Sequence, residues 1–177
     1  MPDAPGPDRG FTPASLYEEQ GEYVWNSLRR IGIADADLED VTHEVFIAVL
    51  RSLSSYDPAR PLRPWLFGIT ARVASHHRRR LFRRHEEPAE TPEAVSEETG
   101  PHETIERHEA RTLLLAALGR LSPGRRAVVI LHELDDVPVP EIARGLGIPL
   151  NTAYSRLRLG RADLVDAVRR ERKGAGR

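Results

Sequence analysis

Six side chains that hydrogen-bond readily, Asn151, Thr152, Tyr154, Ser155, Arg156 and Arg158, crowd into one short stretch near the end of this chain. Carried on a helix, they offer donors and acceptors to base edges and phosphates. A second group recurs at intervals of four, three and four: Arg72, His76, Arg79 and Arg83. That spacing puts them on one helical stripe. Arg78, Arg80 and Arg84 lie among them with no acid, so the stripe can displace counterions from a phosphate backbone. Tyr56, Trp65 and Phe67 lie in or near the preceding loop, where aromatics beside arginines suit unstacked bases. Trp65 and Phe67 suit a core as well, Phe67 the better of the two. A third group, Glu39, Asp40, His43 and Glu44, has the residue types of a metal site or an acid–base pair. Nothing completes it. "HELDD" at His132 lacks the second histidine of a zinc-protease helix, and His76 and His77 are adjacent, so they point apart. No glycine-rich phosphate loop or nucleophile arrangement is present either. The chain therefore reads as non-catalytic, with no metal, no other cofactor and no small-molecule substrate expected.

Net charge is -1, but the charges are segregated. From Ala59 to His85 there are eight arginines and no acid; from Glu86 to Glu109 there are nine acids and Arg107. From Leu150 onward seven arginines and Lys173 face Asp163, Asp166 and Glu171. Basic, acidic, basic is the pattern to explain. Cysteine is absent, which excludes disulfides and thiolate metal sites and fits a reducing cytoplasm. No apolar run is long enough to span a membrane, and "MPDAPGPDRG" lacks the apolar core of a secretory signal.

The elements that must position these groups are helical, and the expected fold class is all-α. "EEPAETPEAVSEETGPHE" is too polar and proline-rich to fold alone and reads as an acidic flexible linker. It divides the chain into a lead at 1–12, a first domain at 13–85, a linker at 86–104 and a second domain at 105–177. In the first domain, Thr12-Pro13 opens a helix that Gly32 ends. A second starts near Asp37 with Leu38, Val41, Val45, Val49 and Leu53 as its apolar stripe. A third starts around Pro64 with Leu66, Ile69, Val73 and His77 on one side and the arginine stripe about a quarter turn away. Four helices are expected in the second domain: about Thr104 to Leu121, one capped by Ser122-Pro123, then a short and a long helix joined by a tight turn. Ala143 and Gly147 meet the small-residue and positive-φ needs of a helix-turn-helix, and Ile142, Leu146, Ile148, Ala153 and Leu157 fix its crossing.

"DLEDVTHEVFIAVLRSL", "RPWLFGITARVASHHRRR" and "RLSPGRRAVVILHELDDVPVPEIARGLGIPLNTAYSRLRLGRADL" occur in this order around the acidic segment. Together they resemble the extracytoplasmic-function (ECF) sigma factors of bacterial RNA polymerase, from about Leu16 to Arg170. The resemblance implies that the first domain grips the clamp of the polymerase largest subunit and opens the −10 promoter element, while the last domain reads the −35 element as duplex. It implies clamp contacts at Asp40, His43, Glu44 and Phe46. It puts Tyr56 to Pro64, with Arg60 and Arg63, in a loop that captures a flipped base. Trp65, Arg72, His76, Arg79, Arg80 and Arg83 then lie along the helix facing the melted strand. Asn151, Thr152, Tyr154, Ser155, Arg156 and Arg158 fall on the −35 recognition helix. The sequence departs from the family's usual pattern at His43, where glutamine is usual, at Arg72 and His76, where asparagine and aspartate are frequent, and at Tyr154, where a basic residue is common. These departures bear on promoter sequence.

The implied partners are core RNA polymerase, promoter DNA and an anti-sigma protein, membrane-bound or not. Two other readings stand beside this one. A stand-alone helix-turn-helix regulator leaves the arginine helix and the acidic segment without a task. An interaction protein using the same helices without DNA leaves the arginine stripe unexplained.

Overall fold

The computed structural model describes residues 13–84 and 105–175, and every regular element among them is helical. The expected N-terminal lead and acidic linker lie outside the described residues. The first helix, α1, spans Pro13–Ile31. Its end is a Schellman motif: Gly32 is left-handed at φ 94, and the Ile33 amide reaches back to the Leu28 carbonyl at 3.1 Å. A 3₁₀ turn at Asp35–Asp37 leads into α2, Leu38–Ser52. Leu38, Val41, Val45 and Val49 are buried as the periodicity required, joined by Thr42 and Phe46. The third helix, α3, runs Leu62–Arg84, so Pro64 sits in its first turn, where a missing N–H costs no helical bond.

The remaining helices are α4 (Ile105–Gly119), α5 (Pro123–Val129), α6 (Val139–Leu146) and α7 (Leu150–Ala175). Between α5 and α6, residues Ile130–Leu134 form a π turn, closed by the Asp135 amide on the Ile130 carbonyl at 3.2 Å. Nothing in the residue pattern announces that turn. Gly147, left-handed at φ 65, makes the bend between α6 and α7. Where α7 crosses α5, a Cβ on Gly160 would lie 2.6 Å from Val129 Cγ2, so only glycine permits that approach.

The two halves dock on each other. Buried apolar residues from α1–α3 and from α4–α7 form a single contiguous cluster. Helix α4 packs against α1, and α6 packs across α3. This second crossing is very close: a Cβ on Gly145 would come 2.2 Å from Pro64 Cβ, and one on Gly68 would meet Leu146 at 3.5 Å.

Candidate nucleic-acid interface

Helix α7 follows the Gly147 bend and is anchored by Ala153 and Leu157, both buried. Anchoring those two positions turns Asn151, Tyr154, Ser155 and Arg158 outward, and all four are exposed. At ~100° per residue they occupy about 100° of arc, a face narrow enough for one groove. Tyr154 is 51% exposed. Thr152 and Arg156 are half-buried and lie beside that face rather than on it. The Arg156 guanidinium covers Gly124 of α5: a Cβ there would meet Arg156 Cζ at 3.1 Å. Arg156, expected on the recognition helix, thus lies at the edge of the outward face in this structure.

On α3, packing of Leu66, Ile69 and Ala74 into the core leaves Arg72, His76 and Arg79 exposed on one side, as their spacing required. The Arg83 side chain lies outside the described residues. Arg80 is held by an ion pair to Glu44 at 3.1 Å and donates to His77 Nδ1 at 3.3 Å. His77 is buried and reaches Asp37 through Nε2 at 3.2 Å. This histidine braces the arginine helix against the start of α2. Arg78, also of the run, turns away from the stripe to the Ile31 carbonyl at 3.4 Å, and the Arg84 side chain lies outside the described residues.

The loop before α3 is built from its own side chains. Tyr56 donates to the Arg60 carbonyl at 2.7 Å and packs against Trp65 with ring centroids 4.5 Å apart. Asp57 accepts from the Ala59 amide at 2.9 Å and pairs with Arg60 at 3.8 Å. Burial, then the neighbouring Asp57 charge, raises the Tyr56 hydroxyl above its ordinary pKa. Arg63 lies over the Tyr23 ring at 5.4 Å. Tyr56, Arg60, Trp65 and Arg63 thus frame the start of the arginine helix, with Arg60 and Arg63 exposed.

On α2 the outward face carries Asp40, His43 and Glu44, with Asp40 and His43 exposed and Glu44 half-exposed in its pair with Arg80. Phe46 is 7% exposed and packs on Tyr17 at 4.7 Å, so in this structure it lies beneath that face and supports it. Reading outward residues along the helix instead brings in Ile47 and Leu50, 49% and 42% exposed. Ile47 lies four residues after His43 and three after Glu44, and Leu50 three after Ile47; that spacing was the available signal. Tyr17 and Trp25 of α1 are exposed as well, beside Thr42 and Glu22.

The remaining unusual chemistry lies between the halves. Asp135, set by the π turn, accepts from the Tyr23 hydroxyl at 3.0 Å and pairs with Arg30 at 2.6 Å. Burial, then the charge and hydrogen bond of Asp135, drives the Tyr23 hydroxyl far above its ordinary pKa. Arg126 is buried and, among the described residues, meets no carboxylate; it donates to the carbonyls of Ile31, Gly119 and Leu121. Burial and then the charge of Arg78 lower its pKa to about 10. The carbonyl of Ile31 ends α1, where the helix dipole is negative, so two guanidiniums gather there.

Comparison with known proteins gives the family. Residues 16–84 match the family profile of Sigma-70 region 2, and residues 111–164 that of Sigma-70, region 4. The chain is 28% identical to the RNA polymerase sigma factor CnrH of Cupriavidus metallidurans, covering 91% of this chain and 87% of that one. It is 31% identical to the ECF RNA polymerase sigma factor SigE of Mycolicibacterium smegmatis, covering 93% of this chain and 65% of the relative. The solved structure of CnrH in complex with the cytosolic domain of CnrY superposes with a TM-score of 0.60 at 27% identity, over 87% of this chain and 85% of that chain. A sigma factor RpoE from Bartonella quintana, solved with the anti-sigma factor NepR, shares the fold at TM-score 0.62 and 19% identity, over 86% and 96% of the two chains.

Proposed function

This chain belongs to the sigma-70 family, among its ECF RNA polymerase sigma factors, and from that membership we propose where its working surfaces lie. It is an alternative sigma factor that directs promoter-specific transcription. In the proposed division of labour, residues 13–85 form the unit that binds core polymerase and opens the −10 element, and residues 105–177 the unit that reads the −35 duplex. The face of Asp40, His43, Glu44, Ile47 and Leu50 meets the polymerase clamp. Arg72, His76 and Arg79, with the loop of Tyr56, Arg60, Arg63 and Trp65, receive the melted −10 strand. Asn151, Tyr154, Ser155 and Arg158 enter the −35 groove.

The observation that carries this reading is the presence of two separate polar faces, on α3 and α7, each exposed and each anchored by a buried apolar side. One duplex-reading helix would serve a simple regulator. A second, arginine-lined face entered past the tilted aromatic pair of Tyr56 and Trp65 suits single-stranded DNA instead. The protein works by recognition, without a catalytic group of its own, and in the cytoplasm, where the polymerase is. The relatives solved with CnrY and NepR support an anti-sigma partner for this chain too. In vitro transcription with core polymerase and a genomic fragment library tests the reading. Transcripts that start only when the protein is added are expected; an unchanged transcript set would overturn it.

A further inference from the structure

The π turn ends on a carboxylate whose two partners, Tyr23 and Arg30, both belong to α1 of the other half. Its side chain is only 5% exposed, and each oxygen is used. A buried carboxylate satisfied wholly from across an interface is satisfied only while that interface is closed. On separation it would regain water, so the contact holds the halves together without making them inseparable. Asp136, directly after it, is the described non-glycine residue at positive φ, 53, which fixes the direction of the turn. "HELDD", idle as a metal motif, thus acquires a task.

Closure matters for the proposed function, on which this inference rests. Sites named −35 and −10 lie about 25 base pairs apart, or about 85 Å at ~3.4 Å per step. A compact body of this size has a radius of gyration of about 16 Å and is roughly 40 Å across. The closed form therefore cannot meet both elements on straight duplex. The 20 residues between Arg84 and Ile105 are enough chain to cover up to about 70 Å at ~3.3–3.6 Å per residue. Closure also sets α6 on the first turn of α3, beside the loop of Tyr56 and Trp65.

We propose that Asp135 is an interdomain latch: held by the π turn, it grips Tyr23 and Arg30 and keeps the free chain closed until polymerase separates the halves. The absence of cysteine gives a clean background for labelling. Cysteines at Ala36 and Ala162, both exposed, accept a donor and an acceptor dye for energy transfer in the full chain. Asp135→Asn is expected to raise the open-to-closed ratio about tenfold or more, because it leaves Arg30 without its charge partner. Tyr23→Phe is expected to raise it less, and the double variant to show less than the sum, since both remove one contact. Should Asp135→Asn lose its native circular dichroism, Tyr23→Phe carries the test alone. Native dichroism with unchanged energy transfer in both variants would overturn the latch. A fall in transfer with no gain in affinity for core polymerase would support the latch and instead overturn the need for opening.

Discussion

Replacing Gly145 by alanine should separate the halves while strengthening the helix that carries it. The added Cβ would stand 2.2 Å from Pro64 Cβ and 3.0 and 3.1 Å from the Pro64 carbonyl carbon and Cα. Ordinary contacts start near 3.4 Å, so α6 must retreat by more than an ångström, and a backbone cannot swing aside as a long side chain would. Forced overpacking of this kind costs ~1–3 kcal/mol. That lowers the closed-to-open ratio by roughly 5- to 150-fold. Within α6 the sign is opposite, because alanine is the better helix former by up to ~1 kcal/mol. Small-angle scattering separates the two effects. A compact chain of this length has a radius of gyration near ~16 Å, and the variant should rise clearly above its parent. Equal radii together with an unchanged or raised melting temperature would refute the argument, since the collision would then have been absorbed without moving α6.

Reversing Asp40 to lysine should weaken binding to core polymerase in a pull-down while circular dichroism stays native, because Asp40 is exposed and its helix is anchored by Val41 and Val45; the same reversal at Glu44 should in addition loosen Arg80, its ion-pair partner. Alanine at Tyr154 or Arg158 should change the −35 bases recovered by selection from randomised duplexes, each contact being worth ~1–3 kcal/mol, whereas alanine at Arg156 should leave the selected motif unaltered. Arg126→Met should lower stability in urea unfolding by about 2–4 kcal/mol, since the carbonyls of Ile31, Gly119 and Leu121 lose their donor together. The Arg126 guanidinium is less basic folded than unfolded, so its charge opposes folding below about pH 10 and that cost fades as pH rises from about 10 toward the ordinary arginine value. In the parent, but not in Arg126→Met, this should register as a relative gain in stability over that alkaline window.

Periodicity is a local property, and whatever depended on it was readable in the residues alone. The α2 stripe of Leu38, Val41, Val45 and Val49, the outward Arg72, His76 and Arg79, the glycine ends of α1 and α6, and the outward set on α7 all follow from 3.6 residues per turn and from φ preferences. The order of motifs likewise carried the family. Which face of an amphipathic stretch meets a partner is decided elsewhere. Phe46 has the residue type of a contact, but Tyr17 of another helix covers it, and the exposed apolar positions are Ile47 and Leu50. Arg156 sits among DNA-competent neighbours, yet Gly124 of α5 gives it a bed away from them. Arg78 and Arg126, indistinguishable in sequence from the other arginines, end on the Ile31 carbonyl because packing of α3 on α1 brings that carbonyl beside Arg78 and docking of the halves brings it beside Arg126. Asp135 gains Tyr23 and Arg30 across more than a hundred residues, through a π turn with no local signature. Local pattern determined which helices form and which sides they bury; only tertiary packing, within each half and between the two, decided which polar side chains stay exposed and which are spent on contacts inside the molecule.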